Sequence, residues 1–209
     1  LLDNENAKKE FILSDLVEIN NNSGGSSTYI ECSHQETLGV DTKKGLSKAE
    51  KIYQNRLRDG FMENGTTIMD PETVFFSWDT SIEKDVVIGA NIVFGKNVSI
   101  ESHVTINSFC SIENSIIKEG ASIGPFSRVR NGAEIGQDSK IGNFVEVKNS
   151  SLKEGVKASH LSYIGDAEID ENANIGAGTI TCNYDGEDKH KTTIGKRAFI
   201  VQIHLLLHL

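Results

Sequence analysis

The sequence predicts a mainly β fold: a left-handed parallel β-helix of hexapeptide repeats, preceded by a linker helix and a short α/β remnant. Three observations lead there. Apolar residues recur at every sixth position between Ile82 and Ile200. Glycine often follows the apolar position, as at Gly89, Gly95, Gly124, Gly136, Gly142, Gly165, Gly176 and Gly195. Aromatic residues make up only 7% of the chain while Gly numbers 19, which suits a thin solenoid better than a bulky core.

The apolar series runs Ile82, Ile88, Phe94, Ile100, Ile106, Ile112. After a five-residue step it resumes as Ile117, Ile123, Val129, Ile135, Ile141, Val147. Two further five-residue steps give Leu152, Ala158, Ile164 and then Ile169, Ile175, Thr181; after an interruption come Ile194 and Ile200. A period of six fits neither an α-helix nor a lone strand. It fits a triangular prism with one inward aliphatic side chain per face, and Gly helps the backbone turn each corner. Three hexads make one coil of about 18 residues. Successive coils stack at roughly 4.8 Å. Hexapeptide prisms are typically left-handed, an exception to the right-handed crossover rule, although the period itself carries no hand. Their flat faces commonly associate as trimers with sites in the grooves between subunits, so a homotrimer is expected.

Ahead of the repeat, Phe11 to Ile19 is a candidate short helix capped at Ser14, Asn20 to Ser27 an Asn/Gly/Ser loop, and Thr28 to Cys32 a candidate strand. Ser47-Lys48-Ala49-Glu50 fits a capping box. It opens an amphipathic helix over Leu46 to Asn64, with Ala49, Ile52, Tyr53, Leu57 and Phe61 on one face and Gly65 as its stop. The domain layout is therefore 1–45, a remnant of a preceding domain; 46–81, helix and connection; 82–200, the β-helix; and 201–209, an aberrant tail.

The net charge of -9 argues against a general nucleic-acid surface. The cysteines, Cys32, Cys110 and Cys182, are odd in number, widely spaced and without a CxxC, which points to a reducing cytoplasm. No apolar stretch is long enough to span a membrane and no signal peptide is visible.

The coil length predicts neighbours. Arg130 and Lys148 are 18 apart, each just after an inward residue, so they should stack on one face. Two cations about 5 Å apart repel by roughly a kcal/mol at surface dielectric, and an anion between them removes that cost. Arg suits bidentate phosphate binding and Lys a point contact; the alternative is a solvated surface pair. His160, two residues past inward Ala158, is a candidate general base at neutral pH; a packing or surface histidine is the alternative. The interruption, Cys182-Asn183-Tyr184-Asp185-Gly186-Glu187-Asp188-Lys189-His190-Lys191, leaves a rigid prism as a loop, where binding residues concentrate. Lys189 would bring it a third cation.

Three blocks carry a family resemblance: Asn143-Phe144-Val145-Glu146-Val147-Lys148, His160-Leu161-Ser162-Tyr163-Ile164-Gly165-Asp166-Ala167, and Asn174-Ile175-Gly176-Ala177-Gly178-Thr179-Ile180-Thr181-Cys182-Asn183-Tyr184-Asp185-Gly186. Together they resemble the bacterial bifunctional enzymes of UDP-N-acetylglucosamine synthesis, which join a uridylyltransferase domain to a glucosamine-1-phosphate acetyltransferase β-helix. The resemblance implies that His160 is the general base toward the sugar amine. It implies that Arg130, Lys148 and Lys189 hold the sugar phosphate, with Tyr163 and Asn174 as sugar contacts. It places Ala177, Asn183 and Tyr184 near acetyl-CoA, and Glu146 as a candidate orienter of His160. Residues 1–45 then resemble the end of the uridylyltransferase domain. Asp41 stands where the family has a metal-binding Asn, implying Mg²⁺ for that half, while that domain's Gly-rich nucleotide-binding start is absent. Beyond Ile200 the family's hexads continue, whereas this chain reads Val201-Gln202-Ile203-His204-Leu205-Leu206-Leu207-His208-Leu209, which suggests a frameshift or truncation that impairs activity. A non-catalytic trimeric scaffold and another hexapeptide acyltransferase are the competing readings; the Asn-Tyr-Asp-Gly loop disfavours the second.

Overall fold

The structure, a computed structural model, describes Lys9 and residues 12–201. All but Val201 of the tail therefore lies outside the described residues, as does Phe11. The chain divides into two compact units, Leu1–Ala49 and Glu50–Leu209.

In the first unit, the early helix is present as Asp15–Asn22, and Ser14 occupies the cap position without a side-chain cap bond. It runs three residues into the segment expected to be loop. Asn20 Nδ2 then donates to the Ser26 carbonyl at 2.9 Å, folding the chain back. The strand expected at Thr28–Cys32 does not form. Tyr29 and Ile30 are 81% and 90% exposed, and an extended segment with no partner edge among the described residues has no ladder to join.

The long helix spans Lys43–Glu63 and starts earlier than expected. Thr42 supplies its first turn: Gly45 N donates to Thr42 Oγ1 at 3.0 Å and Leu46 N to the Thr42 carbonyl at 2.8 Å. The Ser47–Glu50 motif is thus inside the helix and is no capping box. The expected stop holds. Gly65 has φ +96°, Thr66 N donates to the Phe61 carbonyl and Gly65 N to that of Met62, a Schellman closure.

The second unit is a parallel β-solenoid with three faces. One face stacks Ile68, Ile88, Ile106, Ile123, Ile141, Ala158, Ile175 and Ile200. The next stacks Phe94, Ile112, Val129, Val147 and Ile164. The third stacks Ile82, Ile100, Ile117, Ile135, Leu152, Ile169 and Ile194. The three five-residue steps all fall between the second and third faces, so a 17-residue coil keeps its inward residues in register. The solenoid begins one coil before Ile82. Thr67–Ile68 pairs with Val87–Ile88, and Val74–Phe75 with Ile92–Val93. In that coil Phe76 stacks on Phe94 and lies six residues before Ile82, and it is the eight-residue step from Ile68 to Phe76 that hides the coil from a search for period six.

The corners are not turned chiefly by the glycines. Positive φ falls on Asn91, Asn97, Asn114, Asn131, Asn149, Asp138 and Asp166, short polar residues that tolerate the left-handed region. Several of the Gly that follow the inward position serve a close approach instead. A Cβ on Gly142 would lie 1.9 Å from the Ser159 carbonyl oxygen of the next coil. One corner is aromatic: Phe109, Phe126 and Phe144, all at positive φ, stack with centroids 4.8 and 5.2 Å apart, and Leu161 continues the column.

The helix docks on the first coil through Leu57 and Phe61. Tyr53, expected in the same stripe, is 40% exposed. The buried polar members are Gln54 and Arg58. Gln54 Nε2 donates to the Phe76 carbonyl (2.7 Å) while its Oε1 accepts from Phe76 N (2.9 Å), and Arg58 Nε donates to the Val74 carbonyl (3.0 Å). A terminal coil has no preceding strand for its backbone groups, and these two side chains take that place.

Candidate functional site

Two nine-residue strands form the centre of the site. Lys140–Lys148 and Lys157–Gly165 pair in parallel, with Asn143 opposite His160, Glu146 opposite Tyr163 and Lys148 opposite Gly165. Both pass through the aromatic corner, at Phe144 and Leu161. Arg130 joins the array as the direct cross-strand partner of Lys148, as the coil length predicts.

His160 is exposed on this corner, and its Nδ1 lies 3.3 Å from Asn143 Oδ1. With the amide oxygen accepting, Nδ1 carries the proton and Nε2 is the free base nitrogen. Glu146 does not take the orienting role expected of it. It accepts from Arg130 Nε at 2.6 Å and lies 3.9 Å from Arg128. The reason is positional: Glu146 faces Arg128 and Tyr163 across the strands, while the residue opposite His160 is Asn143. Tyr163 folds back over its own strand, so a Cβ on Gly165 would lie 2.4 Å from the Tyr163 hydroxyl and would push that ring aside.

At the far edge of the same face, Asn149, Asp166 and Asn183 stand one coil apart. Asp166 accepts from Asn149 Nδ2 (2.5 Å) and from Asn183 Nδ2. The Asn149 hydrogen bond, then that of Asn183 and the charges of Lys148 and Lys189, hold the Asp166 carboxyl below the usual carboxylate range. Asn149, Asp166, Lys189 and His190 line one groove. The loop folds on itself through a Tyr184–Lys189 bridge and a 2.6 Å contact between His190 Nε2 and Asp185. The amide of Asp188, with His190 and the Glu187 amide, holds Asp185 at about 2.

The structure thus gathers two clusters on one face. Asn143, His160 and Tyr163 lie by the aromatic corner; Gly178 N donates to the Leu161 carbonyl, which brings neighbouring Ala177 there too. Arg130, Lys148, Asn183 and Lys189 lie by the Asn149–Asp166 edge. Asn174 sits on the preceding face between Lys157 and Phe199. Tyr184 is 59% exposed on the loop.

The family description "Bacterial transferase hexapeptide (six repeats)" matches residues 114–149. The bifunctional protein GlmU of Paramagnetospirillum magneticum is 48% identical over 95% of this chain and 44% of its own length. That of Paracoccus denitrificans is 48% identical over 96% of this chain and 45% of its own length. Over the part they share, the chain is similar to the C-terminal portion of the bifunctional GlmU proteins. It spans less than half the length of the curated relatives it matches. Among solved structures, a hexapeptide transferase family protein from Anaplasma phagocytophilum superposes with a TM-score of 0.31, at 19% identity over 65% of this chain and 69% of that one.

The GlmU-like portion contains site residues that reading the sequence passes over. Asn143 opens one of the blocks that carry the resemblance but draws no role from it, and Asn149 has no motif of its own. Both become visible only when the 17-residue coil, not the 18-residue one, is used to look for partners of His160 and Asp166. Asp41 lies on exposed backbone in the first unit. Among the described residues no group of three or more His, Cys, Asp or Glu side chains is arranged to hold a metal. A single carboxylate does not make a Mg²⁺ site, so no step is derived through one. Among the described residues no helix is long and apolar enough to cross a membrane.

Proposed function

We propose that the solenoid transfers an acetyl group from acetyl-CoA to the amine of glucosamine-1-phosphate, the acetyl-transfer step of UDP-N-acetylglucosamine synthesis, in a cytoplasmic setting. One observation carries the proposal: His160, beside Asn143, and a set of cations occupy the two edges of one face. From Asn143 to Lys148 the strand spans at most about 17 Å, at about 3.3 Å per residue, so base and cations stand on the same stretch of two paired strands.

In this reading Arg130, Lys148 and Lys189 hold the phosphate, and Tyr163 and Asn174 contact the sugar. His160 Nε2 takes a proton from the ammonium, and the amine attacks the thioester carbonyl. As the tetrahedral intermediate collapses the C–S bond breaks, His160 returns its proton to the leaving thiolate, and the second proton lost by the nitrogen passes to solvent. The oxyanion needs a hydrogen-bond donor, for which a backbone amide serves. Ala177 and Tyr184 lie toward acetyl-CoA, while Asn183, expected beside them, is buried against Asp166 and acts there through the loop it anchors. The exposed column of Phe109, Phe126, Phe144 and Leu161 supports a homotrimer, since a neighbouring copy would cover it. Residues 1–45 correspond, in this reading, to the end of the uridylyltransferase domain, whose Mg²⁺ would need ligands besides Asp41.

The test is direct. The chain is incubated with acetyl-CoA and glucosamine-1-phosphate, free thiol is followed, and the product is identified by mass. Acceptor-dependent thiol release with an N-acetylated sugar phosphate is expected. Thiol release that is absent, or indifferent to the acceptor, would favour the non-catalytic scaffold.

A further inference from the structure

The insertion at 182–191 leaves a rigid prism and returns to it, and both of its ends meet the same residue. At its start, Asn183 is buried and its Nδ2 donates to Asp166 Oδ2. At its end, Thr192 N donates to the Asp166 carbonyl at 3.0 Å. Asp166 is itself fixed to the strand of the cation array, because its N donates to the Lys148 carbonyl at 3.1 Å. The grip passes on into the loop: His190 N donates to the Asn183 carbonyl at 2.9 Å, next to Lys189.

We propose that Asp166 is a positioning residue, whose carboxylate holds Asn183 and through it sets Lys189 at the edge where Lys148 ends its strand. This rests on the acetyl-transfer reading for its consequence but not for its geometry. An ionised carboxylate only accepts hydrogen bonds, so it must face the amide nitrogen of Asn183 and fixes that side chain's orientation. It has two oxygens, and Asn149 and Asn183 use one each. The negative charge also lies beside Lys148 and Lys189 and moderates their mutual repulsion before a phosphate arrives.

Asp166→Asn is the informative variant. Asparagine tolerates the φ of +49° at this position, so the corner is kept. Its amide presents one oxygen and one NH2 where the carboxylate presents two oxygens, so one of the two asparagines must lose its bond or turn its own amide over. Hydrogen exchange on the full chain without substrate should show the His190 and Thr192 amides exchanging about tenfold faster or more, while the Val145 and Val147 amides are unchanged. Asn183→Ala should loosen the same two amides, and Asp166→Asn should add nothing in that background. Asn149→Gly, also suited to positive φ, should leave the loop protected. With turnover as readout, Asp166→Asn should raise KM for glucosamine-1-phosphate about tenfold. Loop exchange within twofold of the wild type in both Asp166→Asn and Asn183→Ala would overturn the inference. So would equal loosening by Asn149→Gly. Should the wild-type chain show no turnover, the acetyl-transfer reading fails, and the exchange results still decide whether Asp166 clamps the loop.

Discussion

Arg130 and Lys148 are direct cross-strand partners, yet only Arg130 is ion-paired among the described residues: its Nε donates to Glu146 at 2.6 Å. Glu146 lowers the cost of placing two cations side by side and orients the guanidinium, while Lys148 is left to meet an incoming anion. Lys148→Met should therefore raise KM for glucosamine-1-phosphate by about tenfold or more, as expected for a lost charge-assisted hydrogen bond. KM for acetyl-CoA should change little. Steady-state kinetics in each substrate separate the two, and equal effects on both would contradict the phosphate assignment.

Asn143 should matter to His160 through orientation. Asn143→Ala removes the acceptor at Nδ1 and frees the imidazole to adopt either tautomer. The expected outcome is a fall in kcat of about tenfold with KM for either substrate nearly unchanged, smaller than the loss from removing His160 itself. A KM effect without a kcat effect would place Asn143 on the substrate rather than on the base.

The docking of the helix on the first coil can be tested by stability. Arg58→Ala leaves the buried Val74 carbonyl without its side-chain donor and should cost about 1–3 kcal/mol in denaturant unfolding. Ile164→Ala, at a site with no exposure beneath the cation array, should cost about 2–5 kcal/mol through the cavity it leaves.

The loop has a defined response to acid. Asp166 and Asp185 both have folded pKa values below the ordinary 3.8, Asp185 at about 2. A depressed carboxylate contributes stability that is present above the unfolded value and is lost as pH falls through the folded one. The loop amides should therefore stay protected from neutral pH down to about 4 and loosen as pH falls from there toward 2. Loosening between pH 7 and 5 would contradict these carboxylate contacts.

Much of this was legible in the sequence because a period of six reports directly on inward side chains. Ile88 to Ile200 follow it, and the coil length alone placed Arg130 over Lys148. The first coil was hidden because the step from Ile68 to Phe76 has eight residues. Gln54 and Arg58 were missed because they satisfy backbone groups, which leave no apolar pattern. The Asn149–Asp166–Asn183 column was missed because corner residues look like ordinary turn formers until the 17-residue register is known. The glycines were read as corner formers, whereas Gly142 serves the close approach of the next coil.

The central claim is that this face of the solenoid performs acetyl transfer with His160 as its base. The most direct measurement compares turnover of the wild-type chain and His160→Ala with acetyl-CoA and glucosamine-1-phosphate at neutral pH. The account predicts measurable wild-type thiol release that falls by about a hundredfold or more in the variant, in line with the loss of a general base. A variant that turns over as fast as the wild type would contradict it.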